Sequence, residues 1–269
     1  MQFKEERFSL KRMELLMRRD ITSGYKNVLI IIGALAAILI TFDVLNFTLF
    51  QGQTEIGHHL STFSTILFIG GFIVTSGIFK EVHQRESAQA YLMLPASPLE
   101  KTVSRILISN IGWILLTLLW YSAYSYLSAA VTELIAGQHH YLFNPFQTQF
   151  WLTVANYLVL QSIFLVGAIY FRKAQLFKTL LTLFAAGVIF SIFMAVFVRV
   201  VFSPYFSGMF MIDNARLIGP MFEDMPFRFQ DSIKVLIIIR NIFYWGLLAP
   251  VAWLITYIRF REVQVKDAV

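Results

Sequence analysis

Residues 80–107, KEVHQRESAQAYLMLPASPLEKTVSRIL, are a dense polar stretch set between two long apolar runs, and where it bends determines how the neighbouring segments enter the membrane. Its second half carries its own helix start. Ser97 can cap, Pro98 suits the first helical position, and Glu100 stands three residues after the cap, which together make a capping box. A helix is therefore expected from about Pro98, running on into the apolar sequence that begins at Ile106. The first half, from Glu81 to about Met93, has no Gly or Pro and can be helical until Pro95, which disfavours helical geometry at Leu94. Helix, sharp bend, helix is the expected order.

Outward from this stretch the chain is apolar. Hydrophobic residues fill 57% of the 269 positions, 14% are charged, and the mean hydropathy is +0.66, whereas soluble domains are about a quarter charged. The composition is that of an all-α integral membrane protein. Six segments are long and apolar enough to cross a bilayer, which takes about 20 residues each: Asn27 to Phe47, Leu60 to Phe79, Ile106 to Ala130, Trp151 to Phe171, Phe177 to Phe202 and Val235 to Ile258. A single six-helix domain over residues 1–269 is the simplest organisation, since no linker is long enough to separate two.

Orientation follows from Lys and Arg. They crowd ahead of the first span (Lys4 to Lys26), flank the loop at 80–105, return at Arg172, Lys173 and Lys178, and close the chain at Arg259, Arg261 and Lys266. The loops Thr48 to His59 and Val131 to Phe150 contain neither, so the positive-inside rule puts both termini and the 80–105 loop in the cytoplasm of a multi-pass protein of the plasma (inner) membrane. The net charge of +6 is then a topology signal and not a nucleic-acid footprint.

Residues 1–26 read as an interfacial elbow. Phe3, Leu10, Met13, Leu16, Met17 and Ile21 share one helical face, basic residues lie around the rest, and Gly24 allows a turn into the first span. Trp120, Tyr121, Tyr124 and Tyr126 gather toward the outer end of the third span, where aromatic anchors are expected. Asn144 with Pro145 supplies a cap and first-turn proline for the fourth helix. Residues 203–234 are too apolar for a solvated loop and too interrupted by Pro and Gly for a span, which fits short outer-leaflet or re-entrant helices.

Residues 80–107 resemble the cytoplasmic loop between the second and third membrane helices of type-2 ATP-binding cassette (ABC) exporter permeases. The matching positions are Arg85 and Glu86, the apolar Tyr91 to Leu94, the turn of Pro95 and Ser97, and Glu100 with Lys101 and Arg105; Ser87 to Ala90 stand where many members carry a Gly-Thr pair. The amphipathic N-terminus and the 203–234 region are similar to the family's elbow and outer helices. The resemblance implies a permease subunit that forms a substrate pathway as a dimer, with a second copy or a related chain, among membrane lipids. It also implies that ATP and Mg are bound by a separate cytoplasmic ATPase. Docking would fall on a coupling helix in this loop, with Glu81, Arg85, Glu86 and Glu100 as polar contacts. Tyr91, Leu92 and Leu94 would fill an apolar notch, around the Pro95 and Ser97 bend.

The chain's own residues offer little chemistry. It has no Cys and no phosphate loop, so ATP hydrolysis is expected on a partner and the chain itself is not read as an enzyme. The pairs His58 with His59 and His139 with His140 are read as polar loop residues before any metal site. Asp43, Arg199 and Arg240 fall near the outer ends of their spans, where intramembrane charge is costly; they are candidates for an ion pair, for snorkelling, or for substrate passage. Gly33 with Ala37 and Gly71 with Thr75 have the spacing of close helix packing. Two other classes stay open: a non-transporting membrane scaffold using the same loop, and a secondary carrier. The carrier is disfavoured by the lack of an inverted repeat and by the few polar groups in the spans.

Overall fold

A computed structural model describes residues 8–50, 56–84, 88–136 apart from 90 and 92, 142–201, and 234–266 apart from 236. Its elements, α1 (Leu10–Phe50), α2 (Ile56–Gly77), α3 (Lys80–His83), α4 (Pro98–Leu107), α5 (Trp113–Ala136), α6 (Thr148–Tyr170), α7 (Gln175–Val201) and α8 (Leu248–Lys266), are all helical. Two π-helical turns, Ile108–Gly112 and Ile242–Leu247, lead into α5 and α8 without breaking the run. Among the described residues five helices are long and apolar enough to cross a membrane. They are His59–His83, Pro98–Leu134, Thr148–Tyr170, Gln175–Phe197 and Ile237–Gln264. The remaining expected span, Asn27 to Phe47, lies within α1, whose described apolar part is Ile32–Leu45. The expected outer region at 203–233 lies outside the described residues, as do Arg85, Glu86, Leu92, His139 and His140.

The chain divides into two compact units, Met1–Leu176 with Ala249–Val269, and Phe177–Leu248. In the first, α2 lies along α6, and α1 lies along α4 and α5. The spacing of Gly71 and Thr75 has the predicted use. A Cβ at Gly71 would collide with the Tyr157 ring of α6, and one at Gly70 with the Trp113 ring, so two glycines admit two aromatics from neighbouring spans. Trp113 then donates its indole N–H to the Leu67 carbonyl at 3.0 Å. Among the described residues nothing lies within 4 Å of a Cβ built at Gly33, so no close packing is seen at that glycine. In the second unit, residues 180–197 of α7 are almost wholly apolar and all exposed, the pattern of a helix whose solvent is lipid or another helix.

Three local expectations are corrected. The helix runs through Gly24 without a turn, so the expected elbow at 1–26 and the first span share one 41-residue helix. At 1.5 Å per residue such a helix is about 60 Å long, roughly twice the hydrocarbon thickness, and an interior glycine costs only about 1 kcal/mol. Its polar N-terminal part is held by packing on α4. Asn144 does not cap α6, which starts at Thr148 after Gln147; its side chain instead accepts from the Phe146 amide at 3.0 Å, closing a turn. Tyr121 and Tyr124 are not surface anchors but buried core residues, packed with Phe63, Phe143 and Phe150, while Tyr126, Trp151 and Tyr170 are exposed as a belt requires.

Candidate functional site

The loop after the second span begins with the single turn α3 and bends where the sequence says it should. The Ala96 amide bonds back to the Leu94 carbonyl at 2.7 Å across Pro95, a three-residue turn that suits proline's fixed φ. The capping box is present: the Glu100 amide donates to Ser97 Oγ at 3.2 Å, and the Ser97 amide donates to Glu100 Oε2 at 2.9 Å. Glu100 does more than cap. Its other oxygen accepts from the Ser9 amide at 2.6 Å and from Arg12 at 3.1 Å, so one carboxylate joins the start of α4 to the start of α1. Burial pushes this carboxyl up, but the amides of Ser9 and Ser97 and the Arg12 guanidinium outweigh it and hold it below the usual value.

One helical turn on, Arg105 gathers the rest. It donates to the Ile78 carbonyl at 2.7 Å and to Glu81 at 2.6 Å, and pairs with Asp20 of α1 at 3.1 Å. Glu81 also meets Arg19 at 3.4 Å. The buried ring of Tyr91 lies against Arg105, Arg19 and Lys101, at 4.8, 5.6 and 5.6 Å from its centroid. Arg12, Arg19, Lys101 and Arg105 outnumber the carboxylates Asp20, Glu81 and Glu100 by one, and the π face of Tyr91 offsets the excess; each such contact is worth about 0.5 to 2 kcal/mol. Burial pushes the Lys101 amine down and the Asp20 carboxyl up. Behind this node Phe79, Val82 and Tyr91 pack with Leu165 and Ile169 of α6 and Phe260 of α8, and Leu94 leans on the same cluster. His83 donates its Nε2 hydrogen to the Ala168 carbonyl at 2.9 Å.

Of the residues expected to dock a partner, Tyr91 and Glu100 are therefore interior, Ser97 and Leu94 are half-buried, Glu81 is paired within the chain, and Pro95 is exposed. Among the described residues from 85 to 100, Gln89, Met93, Pro95 and Leu99 are exposed and form the accessible tip, with Met93 82% exposed. Ser9, Arg12, Arg19 and Asp20 were missed. Their only sequence signal is that the charges of α1 are mixed in sign, where a purely lipid-facing elbow would be basic.

A second polar cluster holds Asp43. Its carboxylate accepts from the Tyr124 hydroxyl at 2.5 Å and the Ser128 hydroxyl at 2.6 Å, linking α1 to α5, and all three are buried. Beside it the Tyr121 hydroxyl and His59 Nδ1 are 3.1 Å apart. The signal was legible as two hydroxyls four residues apart on one helix. Arg199 and Arg240 belong to the second unit, where Arg240 donates to the neighbouring Asn241 side chain. Among the described residues no group of three or more His, Cys, Asp or Glu could hold a metal ion. Compared with known proteins, the chain matches no family model, no curated protein and no solved structure.

Proposed function

We propose that this chain is the permease subunit of a type-2 ABC exporter, working as a dimer or with a related chain and driven by a separate cytoplasmic ATPase that binds ATP and Mg. The observation that carries the reading is the construction of the 80–105 loop: an exposed tip of Gln89, Met93, Pro95 and Leu99 mounted on a buried frame bonded to α1 and packed on α6 and α8. A pendant loop would absorb a push at its tip. This one passes it through Glu100 and Arg105 to the N-terminal helix and the third span, which is what coupling to a two-state partner requires. Docking then falls on the tip, and Tyr91, Leu94, Ser97 and Glu100 act as the frame behind it.

Met93→Asp combined with Leu99→Asp tests the docking step. Both residues are exposed, so the variant inserts and folds as before but no longer co-purifies with an ATPase. A variant that keeps the ATPase and transports normally removes the docking role. Co-purification of a partner without ATPase activity moves the reading to a scaffold. In this reading both termini are cytoplasmic, so a cysteine placed at Gln89 stays unlabelled by an impermeant thiol reagent in intact cells; labelling there reverses the orientation.

A further inference from the structure

The amide ladder of the third span skips one carbonyl. In the π turn Ile108–Gly112, between α4 and α5, the Trp113 amide donates to the Ile108 and Asn110 carbonyls and passes over that of Ser109, which an α-helix would give it. A neighbouring span takes up the skipped group. Gln161 Nε2 of α6 donates to the Ser109 carbonyl at 2.7 Å, and the Tyr157 hydroxyl, one turn earlier on α6, donates to the same oxygen at 3.3 Å. Ser109, Tyr157 and Gln161 are all buried. A freed carbonyl at membrane depth persists only where protein or water takes it up, and π turns are rare in helices yet frequent at functional sites.

The use of this one is alignment. Arg105 of α4 pairs with Asp20, while Tyr124 and Ser128 of α5 bond to Asp43, and both carboxylates stand on α1. In an unbroken α-helix, which turns about 100° per residue, Tyr124 and Ser128 would be rotated from Arg105 by about 100° and 140°. A π turn takes in one residue more and sets the helix back by about 100°, which brings both hydroxyls to within about 40° of Arg105. One helix face thereby meets α1 at both ends. The glycines of α2 fit the same arrangement, since Gly70 leaves room for the Trp113 ring just past the turn and Gly71 for the Tyr157 ring that reaches it.

A second bonding pattern lies one step away. If Gln161 lets go, the Ser109 carbonyl can accept from the Trp113 amide and the turn closes to α at the expense of the alignment, while Gln161 keeps its other acceptor, Thr75 Oγ1, at 2.7 Å. We propose that Gln161, assisted by Tyr157, is a register lock: by holding the Ser109 carbonyl out of the ladder, α6 fixes the rotation of α4 on α5 and keeps the loop helix turned toward α1, and withdrawal of Gln161 releases it. The lock does not depend on the exporter reading.

The chain has no cysteine and Ser104 of α4 is fully buried, so a Ser104→Cys probe in the purified full-length protein reports the rotation through its reaction with a maleimide. A buried cysteine reacts only through local opening, so labelling is slow in the otherwise native chain and becomes faster by about tenfold or more with Gln161→Leu. Thr75→Ala, which removes only the other partner of Gln161, leaves it slow. Deleting Ile111, an exposed residue of the turn, makes the turn α-helical with both flanks in place and gives the Ser109 carbonyl the Ile114 amide; added to Gln161→Leu, the deletion returns labelling to the slow rate. Slow labelling with Gln161→Leu alone, or labelling with Thr75→Ala as fast as with Gln161→Leu, overturns the proposal whether or not the deletion variant folds. So does a folded double variant that labels as fast as Gln161→Leu.

Discussion

At the loop end of the first unit, Glu100 and Arg105 are held by charge against charge; farther along the same α1 helix, Asp43 is held by two neutral hydroxyls. Depth explains the contrast. At the loop end the long side chains of Arg12 and Arg19 stay partly exposed while pairing, and the buried Arg105 and Glu100 are each met by several partners of opposite charge or by backbone groups. Inside the hydrocarbon a second charge costs about 2.5 to 3.5 kcal/mol on insertion scales, whereas Tyr and Ser hydroxyls bring their donors cheaply. A hydroxyl also accepts. Glu100, by contrast, faces three groups that only donate.

The comparison breaks or sharpens on four measurements of unfolding. Arg105→Met has the largest expected effect, about 3 to 5 kcal/mol, because it strands Asp20 and Glu81; a loss under 1 kcal/mol would mean that the loop node is a surface ornament. Next comes Asp43. Asp43→Leu leaves two buried hydroxyls without an acceptor and should cost about 1 to 3 kcal/mol, while Asp43→Asn, whose amide oxygen still accepts, should cost clearly less. Equal losses would show that charge, not hydrogen bonding, holds that end. A double-mutant cycle of Asp43→Asn with Tyr124→Phe should give a coupling of about 0.5 to 3 kcal/mol. Ser97→Ala removes only the cap, about 1 kcal/mol.

The smallest effect is a pH dependence. Glu100 has a lowered carboxyl, so its contribution is complete above the ordinary value of 4.5 and disappears as pH falls through its folded value. Asp20 has the opposite sign. Its carboxyl is raised above 3.8, so the folded state holds that proton longer and stability declines as pH rises through the interval. The two oppose each other in acid, and the informative quantity is the native protein minus Glu100→Gln, which should fall toward zero below pH 4.5. A difference that stays constant through the acid range would mean that Glu100 is not held as a carboxylate.

What the sequence disclosed and what it hid divide by distance along the chain. The capping box, the bend at Pro95 and the use of Gly71 and Thr75 against a neighbouring span depend on residues within one or two turns, and each is present. Glu100 to Ser9, Arg105 to Asp20 and Asp43 to Tyr124 join residues far apart in the chain, which only the folded packing brings together. The Gln161 hydrogen bonds to Thr75 and to the Ser109 carbonyl escaped for a related reason. The three stand on different elements, and the π turn that carries Ser109 lies in ISNIG, whose composition does not distinguish it from an ordinary helix. Tyr121 and Tyr124 were misread because an aromatic band has the same spelling whether it faces headgroups or a core.

Because α1 runs unbroken from Leu10 to Phe50, Arg12 and Asp43 are fixed to one lever about 46 Å long at 1.5 Å per residue. Rocking it about its middle would carry its two ends in opposite directions, so a displacement at the Glu100 contact would reach Tyr124 and Ser128 as strain of opposite sense. No relay of side chains through the bundle is needed for that message. A glycine pair or a proline placed in the middle of α1 would leave both clusters chemically intact and silence the exchange between them.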